Sequence, residues 1–438
     1  MELLDKVKKL LEDRNILLTG GGGVGKSYLT TQLISALRGD GKQVVVLGST
    51  GVSAVNVHGH TIHSFFCFGI SNNLQEMKKN DKYTKQRVKE LNKILYAADL
   101  LIIDEISMVS SDLLDMIRYR LDSGNFDGRL LFVGDFFQLP PVKSRVQNNS
   151  LFDGNEFAFE SSSWDYFDPY IVELTRTKRT EDEEFFGILN RIRRGELDNE
   201  VGAYLSGLRN NLHVRDENPT ILFGTNAKAD VMNMQRLNLL EADPVVLKAK
   251  EKIHLPSLHV KRIESWKKNL PVPADLTLKV GANILFCTNK WGSYYNGERG
   301  IIKNLDEEEV IVEKNNGKVV KVKRAEYTLS ESITLNNKIE EKPLVTLEQF
   351  PLKLAYAITI HKSQGMSIDS LVCNIDNIFE KSQFYVAISR AKNPKQLLID
   401  YSYNSFENHL KNCVQVSPKV TDFYAKSELI KIEEDTLF

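Results

Sequence analysis

An apolar run, Ile16-Leu17-Leu18, leads into four consecutive glycines, and the glycine stretch closes on Gly25-Lys26-Ser27. The segment fits G-x-x-x-x-G-K-[ST], with Gly20, Gly25, Lys26 and Ser27 at the required positions. Side chains would hold a backbone away from a triphosphate. Glycine lets successive N–H groups, here those of Gly21, Gly22, Gly23, Val24, Gly25, Lys26, Ser27 and Tyr28, curl around phosphate oxygens. Leu29, Leu33, Ile34 and Leu37 recur at helical spacing, and the helix they predict would aim its unpaired N–H groups at the same anion. In that setting Lys26 would reach the β- and γ-phosphates and Ser27 would ligate Mg²⁺. The alternative is a glycine-rich turn that happens to contain Lys-Ser, which gives no reason for a strand before it and a helix after it.

A phosphate loop needs carboxylates, and Asp104-Glu105 follows the apolar run Leu100 to Ile103. Asp104 would hold Mg²⁺ through water, and Glu105 would act as general base on the attacking water. The plain alternative is an acidic helix cap after a strand. Gln138, in "GDFFQLPPV", stands beyond another strand-like run, where it could sense the γ-phosphate or simply precede a Pro-Pro turn. Arg179 in "ELTRTKRT" and Arg390 in "FYVAISRA" border a second region far along the chain. An arginine that meets the γ-phosphate only on closure couples hydrolysis to motion; otherwise each is a solvated surface charge. A small-polar cluster, Thr359, His361, Lys362, Gln364 and Gly365, lies in "AYAITIHKSQGMSID". Nearer the N-terminus, His58, His60 and His63 form H-x-H-x-x-H, a pattern open to a metal. With no carboxylate or cysteine close by in sequence, hydroxyls and imidazoles beside Phe65, Phe66 and Phe68 suit phosphate contacts and base stacking better. Core packing of those phenylalanines remains an open alternative.

Strand-like runs Val44 to Leu47, Leu100 to Ile103 and Leu130 to Val133 alternate with helical segments, which argues for an α/β fold with a parallel sheet covered on both faces. A helix should start at Thr50 or Ser53. Residues 71 to 96 turn polar and basic and predict a largely helical surface insertion. A second α/β region starts near 180, with strands expected at 220–225, 370–375 and 395–400. From 275 to 347 short alternating strands with hairpin signals Asn296-Gly297 and Asn316-Gly317 predict a small inserted β-barrel. The chain has 438 residues, is 42% hydrophobic, and carries 57 basic against 58 acidic residues. Such balance excludes a packaging protein but not a motor with a local groove. No apolar run spans a membrane and no signal peptide is evident. The four cysteines, Cys67, Cys287, Cys373 and Cys413, are far apart, which predicts a reducing, cytoplasmic setting and no zinc module.

Taken in order, "GGGGVGKS", "STGVSAVNVHGHTIHSFF", "LIIDEISMV", "LLFVGDFFQLPPV", "FAFESSSWDYF", "ELTRTKRT", "AYAITIHKSQGMS" and "FYVAISRA" resemble the motif series of the superfamily-one helicases, and most closely their Pif (petite integration frequency) branch, near the RecD-like enzymes. The resemblance runs from residue 16 to about 400. It implies two RecA-like P-loop motor domains: 1–178, with a small wedge insertion at 66–96, and a second domain in two parts, 179–274 and 348–438, around an SH3-like barrel at 275–347. It implies ATP and Mg²⁺ as cofactors and a monomer that binds single-stranded and duplex or forked DNA, translocates 5′-to-3′ and unwinds, in repair, recombination or replication. By motif position Lys26, Ser27, Asp104, Glu105, Gln138, Arg179 and Arg390 would be the ATPase residues, with Gly365 beside the nucleotide. Thr50, Ser53, His60, Thr61, His63, Phe136, Asn226, Thr359, His361 and Lys362 would line the DNA track.

Three departures from the family pattern stand out. The loop has glycines where Pro, Ala and Thr are usual, which costs pre-organisation but no donors. Thr180 follows Arg179 where glutamine is usual. Residues 1 to 19 contain no glutamine, although the family contacts adenine with one upstream of the loop, so weak discrimination between purines is expected. Two other readings stay open: a helicase of RNA or RNA–DNA hybrids, and a nucleotide-switched binding protein that hydrolyses ATP slowly and moves no strand.

Overall fold

The structure, a computed structural model, describes residues 2–57, 59–141, 156–211, 218–335 and 338–432. The chain divides into two compact units: residues 1–176, 330–343 and 418–438, and residues 177–329 and 344–417.

In the first unit, continuous apolar runs become central strands because parallel strands are buried on both faces. β1 (Ile16–Gly20), β2 (Val44–Gly48), β4 (Leu100–Asp104), β5 (Arg129–Val133) and β6 (Tyr170–Leu174), with the short β3 (His60–Thr61), build a parallel sheet in the order β6-β1-β5-β4-β2-β3. Its register sets Gly48, Asp104 and Val133 side by side, with Leu18 opposite Val133. The carboxyl ends of the strands therefore open on one edge, where ligands of such sheets are held. α1 (Glu2–Asp13) precedes β1, and α2 (Lys26–Gly39) follows it, burying Leu29 and Leu33. Thr50 is the N-cap of helix Gly51–Asn56: its hydroxyl accepts from Ser53 N, and Ser53 Oγ accepts from Thr50 N.

The polar stretch after residue 71 is a 24-residue helix, Leu74–Ala97, capped by Asn73 and bent at Thr84. It is not only a surface feature, since Met77, Leu91, Ile94 and Leu95 are buried. Its Asp81 receives Arg120 Nη1 at 2.8 Å, and Arg120 Nε donates to Phe66 O at 3.0 Å. Arg120 is 1% exposed, in helix Ser111–Ser123. One guanidinium thus pins two helices and the Phe66–Phe68 segment, whose rings stack 5.4 Å apart.

The second unit holds a parallel sheet of Ala357–Thr359, Thr220–Phe223, Leu371–Asn374 and Leu397–Asp400, in that order. Between its first two strands in the chain lies an antiparallel sheet, Val319–Val322, Val310–Lys314, Arg299–Leu305, Asn283–Phe286 and Leu352–Leu354, around an apolar core of Ile284, Phe286, Ile302, Val312 and Phe350. Asn316-Gly317 makes the expected hairpin, with Gly317 at φ 79°. The core draws on Leu237 and Leu247, upstream of residue 275.

Two expected boundaries need correction. Residues 330–343, expected within the barrel inserted in the second domain, fall in the first unit. Residues 418–432 do not complete the second α/β domain: Leu429–Ile432 pairs with β6 as an edge strand of the first sheet. A four-residue strand carries no local signal for the sheet it joins; the open edge of β6 decides that. The expected boundary at 178 falls two residues from the division at 176.

Removing one partner of a buried ion pair leaves the other charge uncompensated. Asp81→Ala should destabilise the first unit by about 3 kcal/mol, read as a lower urea midpoint, whereas the double change Asp81→Leu with Arg120→Met should cost less. Equal midpoints for wild type and Asp81→Ala would deny the pair this role.

Candidate active site

The phosphate loop leaves β1 through a backbone that requires glycine. Gly20 sits at φ 139°, and a Cβ there would overlap Leu174 O on β6. Gly25, at φ 93°, is the residue before α2. Between them Gly22 and Gly23 are partly exposed, while the Val24 side chain is buried and packs toward Gly20, so Val24 serves the loop through its backbone. Ser27 and Tyr28 are exposed at the start of α2. Lys26 Nζ folds back to donate to Gly20 O at 2.7 Å and Gly21 O at 3.0 Å. The ammonium thus lies within the loop, in place for an anion.

At the end of β4, two carboxylates stand together. Burial first, and then the charge of Glu105, push the Asp104 carboxyl up, while Lys26 opposes them. Glu105 itself adopts the left-handed region, at φ 54° and ψ 51°. A non-glycine residue held there costs on the order of 1–3 kcal/mol and marks sites where direction matters more than comfort. The turn ends strand geometry at once and sends the Glu105 side chain off the ladder. The donor set fits Mg²⁺: a hydroxyl, Ser27, and an electrostatically loaded carboxylate, Asp104, with few protein ligands and room for phosphate and water. Among the described residues no group of three or more His, Cys, Asp or Glu could hold a metal by itself. His58, the first histidine of the H-x-H-x-x-H pattern, lies outside the described residues.

Gln138 is 7% exposed and is not a surface glutamine. Its amide donates to Asp135 Oδ2 at 3.4 Å, and Asp135 Oδ1 accepts from Phe137 N at 3.1 Å. Asp135 is fully buried, and a carboxylate three residues before a glutamine is the signal in the sequence that points to it. Phe136 requires a correction. It is 1% exposed, with Phe159, Trp164 and Phe423 edge-on around it at 4.9, 5.6 and 5.5 Å. No face of that ring is open to a base. Phe65, Phe66 and Phe68 are likewise core residues.

The other strand-facing candidates of the first unit are already engaged. Thr50 and Ser53 form a cap, and Thr61 accepts from Ser64 N. His60 Nε2 lies 2.8 Å from Glu341 Oε1 and 2.9 Å from Ser332 Oγ. His63 packs edge-on to Phe68, and burial lowers its pKa, which keeps it neutral.

Within the second unit the two arginines come together. Arg179 Nε donates to Ser367 Oγ at 2.9 Å and Nη1 to Ser389 O at 2.6 Å. Arg390 Nη2 donates to Ser389 Oγ at 2.9 Å and Nε to Val386 O at 2.9 Å. One serine thus receives both side chains. Burial, and then the charge of Arg390, pull Arg179 down to about 9, still protonated at neutral pH. Thr180 is buried, and its hydroxyl accepts from Asp182 N ahead of helix Glu183–Arg193, so it fixes the turn that carries Arg179. Thr359 ends its strand buried and accepts from Lys362 N at 3.4 Å; His361 lies 3.2 Å from Glu380; Lys362 and Gly365 are exposed. Gln364 Nε2 is buried without a partner among the described residues, and Asn226 opens helix Asn226–Asn238, exposed. An orphaned amide in this turn is a donor waiting for an acceptor.

The geometry agrees with what the chain resembles. Residues 2–202 match the family model for the PIF1-like helicase. The ATP-dependent DNA helicase Pif1 of Campylobacter jejuni is 40% identical over 443 residues, covering 98% of this chain and 99% of that protein. Among solved structures, Bacteroides sp Pif1 in complex with ADP-AlF4 is 28% identical with a TM-score of 0.81, over 97% of this chain and 96% of that one. Bacteroides Pif1 bound to ssDNA is 28% identical, with a TM-score of 0.64 over 96% and 95%. The chain belongs to the PIF1-like helicases.

Proposed function

We propose that this enzyme, an ATP-dependent DNA helicase, works as a monomer that steps 5′-to-3′ along single-stranded DNA and separates the duplex ahead of it. Relatives captured with ADP-AlF4 and with ssDNA support ATP and DNA as its ligands. The observation that carries the motor reading is the arginine pair. Two guanidiniums brought to one serine repel each other, and an anion bound beside them would offset that repulsion. A nucleotide-switched binding protein has no use for such a pair.

In the proposed cycle the backbone of residues 21–28 and Lys26 hold the triphosphate. Ser27 and Asp104 would hold Mg²⁺, which neutralises phosphate charge when bound. Glu105, aimed by its left-handed turn, takes the proton of the attacking water, and Gln138 orients that water or the γ-phosphate. Arg179 and Arg390 stabilise the charge that builds in the transition state. Thr359, His361, Lys362 and Asn226 of the second unit, with Thr50, Ser53, His60, Thr61 and His63 of the first, are proposed for the strand's phosphates and bases.

Matched duplexes with a 5′ tail, a 3′ tail or an RNA tail test the reading. The 5′-tailed DNA should be unwound, and Glu105→Gln should bind nucleotide yet unwind nothing, because it keeps the shape and loses the base. Unwinding of the 3′-tailed duplex alone would reverse the polarity. Stimulated hydrolysis without unwinding of any duplex would favour the switch.

Alanine at Arg179 or Arg390 should lower turnover on the order of a thousandfold while nucleotide affinity changes little, since such groups act on transition-state charge. Near-normal kcat in both variants would return them to structural roles.

Base recognition is expected to be loose. Residues 2–19 present no glutamine, and the Asn15 amide is spent on Phe167 O and Leu130 N at the far end of the sheet from the loop. Without a donor–acceptor pair for adenine the penalty for guanine nearly vanishes. With saturating single-stranded DNA, kcat/KM for GTP should lie within about tenfold of that for ATP; a preference above about a hundredfold would require another adenine reader.

A further inference from the structure

Tyr424 lies on helix Pro418–Lys426, nearly 300 residues beyond the Gln138 loop, yet its side chain is woven into the nucleotide machinery of the first unit. Its hydroxyl shares a 2.9 Å hydrogen bond with Thr19 Oγ1 and accepts from Phe136 N at 3.4 Å. Its ring stacks on Phe137, 4.8 Å away and 11° from parallel. Thr19, fully buried, is the residue before Gly20, whose carbonyl receives Lys26. Phe136 and Phe137 lie between Asp135 and Gln138 in sequence, the pair that forms the sensor loop.

The helix that delivers Tyr424 is itself fixed. Lys419 pairs with Glu160 at 2.7 Å, Phe423 stacks on Phe159 at 4.4 Å, and the next strand is zipped to β6. Below this level the backbone already joins β1 to the segment after β5, Gly134 N to Leu18 O at 3.1 Å. Tyr424 acts one step further out, where the loop leaves the sheet. A phenol on a fixed helix adds a constraint there.

We propose that Tyr424 is a positioning residue for hydrolysis: it locks the Asp135–Gln138 loop to the root of the phosphate loop, so that Gln138 meets the γ-phosphate in one orientation. The proposal rests on the reading of Gln138 as the γ-phosphate sensor. The C-terminal helix thereby becomes part of the ATPase site, although none of its atoms touches the nucleotide.

The test uses the full chain with saturating single-stranded DNA and compares wild type, Tyr424→Phe, Thr19→Val, Gln138→Ala and Tyr424→Phe/Gln138→Ala. Phenylalanine keeps the stacked ring and removes the hydroxyl with its bonds to Thr19 and to Phe136 N; Thr19→Val removes the shorter of these bonds from the other side without touching the helix. Losing one buried hydrogen bond corresponds to about a tenfold effect. Tyr424→Phe and Thr19→Val should each lower kcat by about that factor, with KM for ATP and single-strand affinity within about twofold of wild type. In the Gln138→Ala background Tyr424→Phe should change kcat by less than about twofold, because both act through one loop. Wild-type kcat in Tyr424→Phe, with Gln138→Ala impaired, would sink the latch and leave the sensor standing. Wild-type kcat in Gln138→Ala would sink the sensor reading and the latch with it. Losses that multiply in the double variant, or a rise in KM in place of the fall in kcat, would show that Tyr424 acts by another route.

Discussion

The register of the first sheet is the constraint on which the nucleotide site depends. Parallel strands buried on both faces have no freedom to slip, since a shift of one residue would turn every side chain over. That rigidity sets Gly48, Asp104 and Val133 in one row and Leu18 opposite Val133. The glycine loop, the acidic pair and the glutamine loop each begin within a residue or two of that row. They start from one row although 16 to 138 is a long span of chain, because the ladder measures the distance for them.

Buried charge occurs in each of the two units, and each instance costs the fold something. The Asp104 carboxyl is raised by burial and by its neighbour Glu105, Glu105 occupies a backbone region that disfavours it, and Arg179 is lowered by burial and by Arg390. Arg120 is buried as well, and is matched by Asp81 and a carbonyl, so its charge is satisfied within the protein and serves packing.

Much of this was legible in the residues. The phosphate loop announces itself by spacing, and the strands before it and before Asp104 by unbroken apolar runs, because local propensity and burial point the same way. The hairpin at Asn316-Gly317 is equally local. What could not be read was whether a polar or aromatic side chain faces a ligand or a neighbour. Phe136 looks like a stacking platform beside motif residues and proves to be core, since three rings from residues 159, 164 and 423 close around it. Thr180 looks like a defect where glutamine is usual and proves to hold a turn.

The sequence by itself determined the chemistry available: a glycine-cradled lysine, an acidic pair at a strand end and two arginines in recurrent settings, all consequences of short-range spacing. Only the tertiary structure decided which distant residues share a site. Arg179 and Arg390 meet at Ser389 across 210 residues, and Tyr424 reaches Thr19 across 405. Residues 429–432 join the first sheet and not the second for the same reason. Such contacts are set by which strand edge and which core remain open once the nearer elements have packed, and no local pattern carries that information.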